Sequence, residues 1–156
     1  MSKDFFKKGI TVIEILIVLS VVAILVAVAL PQFSKIKENQ VLKNGVQNIL
    51  SSLDKAHSQT LASLNSSEYG VRFEADKIII FKGTSFPAND PNNESISIIS
   101  PASISNVTLN LVSGIPGEMY FNRLSGVPSK TGTITVSVPS VLKIITISAT
   151  GAVSVN

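Results

Sequence analysis

The chain has 156 residues, enough for one compact domain with an appendage; 45% of them are apolar, aromatics are few and tryptophan is absent. Net charge is +3, but Lys3, Lys7 and Lys8 against Asp4 carry most of that excess; the chain after Gly9 holds ten basic and nine acidic side chains and gives little footing for nucleic-acid binding. With no cysteine, disulfides, Cys-ligated metal sites and thiol nucleophiles are excluded, so packing alone must hold the fold.

From Ile10 to Leu30 the sequence reads ITVIEILIVLSVVAILVAVAL, 21 residues with Glu14 as the single charge. A helix of that length is about 31 Å long, close to the thickness of a bilayer core. Few helices of soluble domains are apolar on all faces for this long. The three lysines directly before it place its N-terminus in the cytoplasm and send the C-terminal bulk across the membrane. A secretory signal would end at small residues in an A-x-A pattern. Here the run ends in Ala29-Leu30-Pro31-Gln32-Phe33, and a helical pattern continues beyond it. A carboxylate inside a spanning helix costs about 2.5–3.5 kcal/mol at the helix centre, which makes Glu14 a functional candidate.

Lys8-Gly9-Ile10-Thr11-Val12-Ile13-Glu14, followed by the unbroken apolar run, resembles the prepilin leader of type IV pilins and type II secretion pseudopilins. The resemblance implies that a prepilin peptidase cuts after Gly9, on the cytoplasmic side, and that Ile10 becomes the N-methylated first residue. Glu14 then stands fifth in the mature chain, and Pro31 falls where many pilins carry a proline. Two positions depart from the usual pattern: the first mature residue is Ile10 rather than Phe, and the third is Val12 rather than Leu or Thr. Cleavage would create an α-amine at Ile10, a positive charge with which the Glu14 carboxylate can pair, within one helix or between staggered helices. The intersubunit pairing, which the family is understood to use, also sets register.

After Pro31 the pattern becomes amphipathic. Leu42, Val46, Ile49, Leu50, Leu53, Ala56, Leu61 and Leu64 recur at spacings of mostly three and four, with lysines and polar residues on the other faces. Pro31 lacks an amide donor and predicts a kink where the helix leaves the membrane. Asn65-Ser66-Ser67 predicts the helix end. From Glu68 onward the pattern is that of strands: Tyr69–Phe73 and Lys77–Lys82 as a hairpin, a polar loop over Gly83–Glu94, then Ser95–Ile99, Val107–Val112, Met119–Asn122, Thr133–Val138, and a terminal hairpin of Leu142–Ser148 with Ala152–Val155. The division is therefore 1–9 leader, 10–30 membrane or filament-core helix, 31–65 amphipathic continuation and 66–156 β-rich domain. The fold class is α+β: a long N-terminal helix packed on an antiparallel sheet domain.

Tyr69-Gly70-Val71-Arg72-Phe73, Tyr120-Phe121-Asn122-Arg123-Leu124-Ser125-Gly126, Gly132-Thr133-Ile134-Thr135-Val136-Ser137 and Ile147-Ser148-Ala149-Thr150-Gly151 are similar to strings of the H-type minor pseudopilins and related minor pilins. Catalysis finds no footing. His57, the only histidine, lies three residues after Asp54 on the amphipathic helix, and no G-x-S-x-G elbow accompanies it. No His/Cys metal spacing exists, and no cofactor is implied. Asp90-Pro91-Asn92-Asn93-Glu94 offers oxygen ligands without a D-x-D-x-D-G framework and reads as a solvated turn. Arg72 and Arg123, the only arginines, do not make a basic patch by themselves, although a sheet could make them neighbours.

The expectation is a structural subunit of a type IV pilus-like filament, a minor pseudopilin of a type II secretion system, with a minor type IV pilin for adhesion, motility or DNA uptake as the alternative. It is held in the cytoplasmic membrane by a single pass and then joins the filament. Its partners are the prepilin peptidase, membrane lipids and other pilin or pseudopilin subunits through the N-terminal helix. A membrane-anchored binding domain that joins no filament is the alternative; such an anchor needs neither Gly9 nor Glu14.

Overall fold

The computed structural model describes residues 9–156, with the side chain of Pro31 left aside. The leader lysines Lys3, Lys7 and Lys8 lie outside the described residues. One helix, α1 (Val12–Leu61), is followed by a short 3-10 turn (Leu64–Ser66) and nine strands, in the α+β class. Contacts divide the chain into two units, Met1–Ile36 and Lys37–Asn156, taken here in turn.

In the first unit α1 runs through position 31 without a break. Proline removes one i→i−4 hydrogen bond there, and helical backbone continues on both sides of it.

In the second unit, the face of α1 formed by Val41, Leu42, Val46, Ile49, Leu53 and Ala56 is buried. It closes the core of a domain made of two antiparallel sheets. The first has the order β3-β2-β1-β6, with β1 Tyr69–Phe73, β2 Lys77–Lys82, β3 Glu94–Ser97 and β6 Gly117–Phe121. The second has the order β5-β4-β7-β8-β9, with β4 Ser103–Leu109, β5 Val112–Ser113, β7 Gly132–Ser137, β8 Leu142–Ile147 and β9 Val153–Val155. Alternation decides which side chains enter the core. Val71, Phe73, Ile78, Ile80, Met119 and Phe121 come from the first sheet, and Ile104, Val107, Ile134, Val136, Ile145 and Ile147 from the second.

Part of the first sheet's other face, around Ile79 and Phe81, is buried as well. Phe81 lies over Gly70, where an added Cβ would sit 2.4 Å from the Phe81 ring and 2.6 Å from the Met119 carbonyl oxygen, so only glycine fits. Phe86, from the loop after β2, packs edge-on against Phe81 with ring centroids 5.7 Å apart. The loop between β2 and β3 thus contributes a hydrophobic anchor of its own.

Several elements differ in detail from the sequence expectation. Leu61 and Leu64 are exposed, at 45% and 44%. The buried row runs Leu42, Val46, Ile49, Leu53, Ala56 and Thr60, and Leu61 lies about 100° around the helix from its last member. Thr60 belongs to the core because its hydroxyl is doubly used: it donates to the Ala56 carbonyl (2.8 Å) and accepts the Tyr69 amide (3.0 Å). The expected strand Val107–Val112 is two strands, because Asn110 and Leu111 take left-handed φ values of 49° and 67° and turn the chain between β4 and β5. The strand expected at Ser95–Ile99 begins at Glu94, where it pairs with Ile80.

The unit Lys37–Asn156 should fold by itself, because its core draws no side chain from before Val41. Expressed alone it should be monomeric on gel filtration with a mixed helix–sheet circular dichroism spectrum, and aggregation would show that its boundary is wrong. In that fragment Thr60→Val should cost about 1–3 kcal/mol in urea unfolding, since it leaves the buried Tyr69 amide without its acceptor.

Candidate functional site

The N-terminal apolar segment is the feature that the fold leaves without internal cover. Every large apolar side chain from Ile10 to Leu30 is exposed, from 47% at Val22 to 77% at Val12. The one hydroxyl near its middle is satisfied within the helix: Ser20 Oγ donates to the Leu16 carbonyl at 2.8 Å. With backbone bonds closed inside the helix and no unpaired hydroxyl, the segment meets the requirement for lying in an apolar medium. It is long and apolar enough to cross a membrane.

Its beginning is built by Thr11 and Glu14. Thr11 precedes the first helical residue, and its Oγ1 accepts the Glu14 amide at 3.3 Å, while its carbonyl accepts the Ile15 amide at 3.3 Å. This is one half of a capping box, a threonine with a glutamate three residues on. Thr11 is the cap residue of this helix start, and its signal in the sequence is the T-x-x-E pattern. Glu14 is exposed in the first helical turn and, among the described residues, makes no ion pair. The positive end of the helix dipole favours a carboxylate there.

Gly9 and Ile10 precede the helix and are exposed. A Cβ added at Gly9 would meet nothing within 4 Å. Among the described residues there is thus no steric reason for glycine at this position. Gly9, Ile10 and Glu14 fall within six residues at one helix start, whereas Pro31 lies about five turns further along.

The other candidate groups have local partners. On the outer face of the first sheet Arg72 Nε donates to Glu74 (3.0 Å), and its Nη1 donates to Glu118 (3.1 Å). The guanidinium lies 4.6 Å from the Phe86 ring centroid. Arg123 Nη1 donates to the Ser66 carbonyl at 2.7 Å. Because Tyr69 pairs with Phe121 and Arg72 with Glu118, the two arginines lie toward opposite ends of the β1–β6 pair and are not neighbours. His57 packs against Phe121 with ring centroids 5.0 Å apart. Gly126 closes over it with φ 66°, and a Cβ there would come within 2.5 Å of the imidazole Nε2.

In the 90–94 loop the Asp90 carboxylate accepts the Asn92 amide (2.8 Å) and side chain (2.7 Å), which hold its pKa below the usual carboxylate value. Glu94 instead pairs with Lys55. The two carboxylates are thus engaged separately, and among the described residues no group of three or more metal-ligating side chains is present. Comparisons with protein-family models, with curated proteins and with solved structures find no match.

The Arg72 cluster has a measurable pH signature. The Arg72 hydrogen bond, aided by Lys77, holds the Glu74 carboxyl below its ordinary 4.5. A folded pKa below the unfolded one stabilises the protein at neutral pH, and that contribution is lost as pH falls through the lowered folded value. Glu74→Gln should therefore cost about 0.5–1 kcal/mol near pH 7, a modest amount because the pair is partly exposed. The deficit should shrink below pH 4.5. Urea unfolding of the Lys37–Asn156 fragment across pH 2.5–7 measures both, and a deficit independent of pH would assign the loss to packing.

Proposed function

We propose that the chain is a structural subunit of a type IV pilus-like filament, made as a precursor that is cut after Gly9. The resemblance of its leader and second region to secretion pseudopilins favours the pseudopilus form, with a pilus for adhesion, motility or DNA uptake as the other. The observation that carries the reading is the helix start: a Thr11-capped turn presents one carboxylate, Glu14, at the head of an apolar segment with no cover of its own. A plain membrane anchor needs the apolar length but has no use for that carboxylate.

On this reading the uncut subunit waits in the cytoplasmic membrane with its N-terminus inside. A prepilin peptidase cuts the Gly9–Ile10 bond, and Ile10 is methylated on its new amine. The absence of any steric demand for glycine within the fold agrees with a demand made by an external enzyme at the bond. The cut leaves a cation two residues before the first helical residue. As the subunit leaves lipid for a bundle of like helices, each apolar flank exchanges lipid for helix. The Glu14 carboxylate of one chain then meets the Ile10 amine of its neighbour. Both charges gain a partner in a low-dielectric setting, and the axial step between subunits is fixed.

Two outcomes follow in cells that carry the peptidase. Intact mass should show mature protein beginning at Ile10 with one added methyl group, and Gly9→Val should accumulate the full precursor. Glu14→Val should insert and be cut as the wild type is, since it removes an unfavourable group from the span. It should lose most of its co-purification with filament partners. Retention of residues 1–9 in the wild type would sink the processing claim. Undiminished partner recovery by the valine variant would show that Glu14 is not an assembly contact, and failure of the wild type to recover any filament partner would leave the membrane-anchored binding domain as the better reading.

A further inference from the structure

The second sheet carries an apolar projection at one edge and an apolar groove at the other. The projection is the tip of the β4–β5 hairpin. Leu111 is 97% exposed and Val112 74% exposed, so neither finds cover on its own chain. Leu111 also has φ 67°, at a turn position where the left-handed backbone favours glycine and a bulky side chain is strained. A leucine that is strained, fully exposed and without packing does nothing for the fold of the single chain. No charged residue lies between Asn106 and Gly117.

The groove, of about 430 Å³, lies between the start of the amphipathic part of α1 and the β8–β9 edge. Leu42, Val46, Val141 and Val155 give it an apolar floor and wall, and Lys43 and Lys143 line it as well. Those two ammonium groups disfavour a cationic occupant and suit a neutral tip whose turn carbonyls can accept hydrogen bonds from them. Strands β4, β7 and β8 separate β5 from β9, so the two edges are about 19 Å apart at roughly 4.8 Å per strand. The projection cannot reach the groove of its own chain.

We propose that the Leu111–Val112 tip of one subunit seats in the Leu42/Val46/Val141/Val155 groove of a second copy. Two different patches meet in such a contact, so it leaves a free tip at one end and a free groove at the other. Repeated, it generates an open series rather than a closed dimer. The proposal rests on the filament-subunit reading and adds a second point of attachment to it, outside the apolar helices, together with a polarity. It also makes the chain able to follow itself.

Because the chain lacks cysteine, crosslinking is clean. Leu111→Cys with Val155→Cys in the full-length chain, under mild oxidation in filament-forming cells, should give a reducible ladder of dimers, trimers and higher species. Each single variant should stay monomeric, because the contact then sets no second thiol opposite the first. An intramolecular bond is excluded by the separation of the edges, since disulfide-bonded Cα atoms lie within about 7 Å. Leu111→Gly should reduce filament yield several-fold while leaving the unfolding midpoint of the chain unchanged or higher, because it removes the projection and relieves the backbone.

Filaments that assemble normally with Leu111→Gly would overturn the contact and leave the filament reading standing. A double variant that crosslinks no further than the single ones, or only to another protein, would do the same. No filaments from the wild type under any assembly condition would defeat the filament reading, and the contact would fall with it.

Discussion

An apolar helix that its own chain does not cover governs the rest of this structure. Burial of one valine, leucine or isoleucine side chain contributes about 1.5–3 kcal/mol. The segment from Val12 to Leu30 exposes more than a dozen of them. Their cover is thus worth more than the net stability of a whole domain, about 5–15 kcal/mol. Where this segment resides is therefore decided by whatever covers it, not by the folding of residues 37–156. The second unit must close its core without it, and the core residues begin at Val41 accordingly.

That separation explains how polar groups are used in each unit. In the apolar segment the hydroxyls are turned inward on the helix: Ser20 bonds its own backbone, and Thr11 caps the helix start. In the second unit a buried hydroxyl joins elements instead. Thr60 ties the last turn of α1 to the first residue of β1, where the chain reverses through the left-handed residues Ser63, Asn65 and Ser66. The outer face of the first sheet uses charge and aromatic packing together. Arg72 is held between two carboxylates and over Phe86, and Phe86 in turn covers Phe81.

The parts legible in the sequence were those with a strong period. The apolar run, the i/i+3/i+4 stripe and the Tyr69–Phe73/Lys77–Lys82 hairpin could be read because each repeats the geometry of its element several times. The turn at Asn110-Leu111 could not, since leucine occupies a position where glycine would have announced a turn, and Val107–Val112 then reads as one strand. Periodicity also cannot say that the strands divide into two sheets, because inward and outward alternation looks the same in either arrangement. Leu61 and Leu64 continue the apolar spacing yet are exposed, because tertiary contact selects Thr60 for its hydroxyl. At the candidate site Glu14 stood out as a lone charge, and Thr11 was passed over because its signal is a short polar pattern beside a long apolar one.

Thr11 bears directly on what Glu14 is free to do. A glutamate three residues after a cap often serves the cap itself, by reaching back to the cap residue's amide. Here the threonine hydroxyl and carbonyl already satisfy the amides of Glu14 and Ile15, so the turn forms without help from the carboxylate. The helix dipole favours Glu14 by about 0.3–1 kcal/mol, screened at an exposed end. Moving a carboxylate into the apolar medium costs about 2.5–3.5 kcal/mol at mid-span. The dipole alone falls short of that cost, and a paired cation can exceed it. Under the filament reading, a new α-amine at Ile10 is the cation that cleavage itself supplies at this end of the helix. The same peptide-bond cut then removes the basic leader and creates the charge that makes Glu14 tolerable among apolar neighbours, which couples processing to assembly in one chemical step.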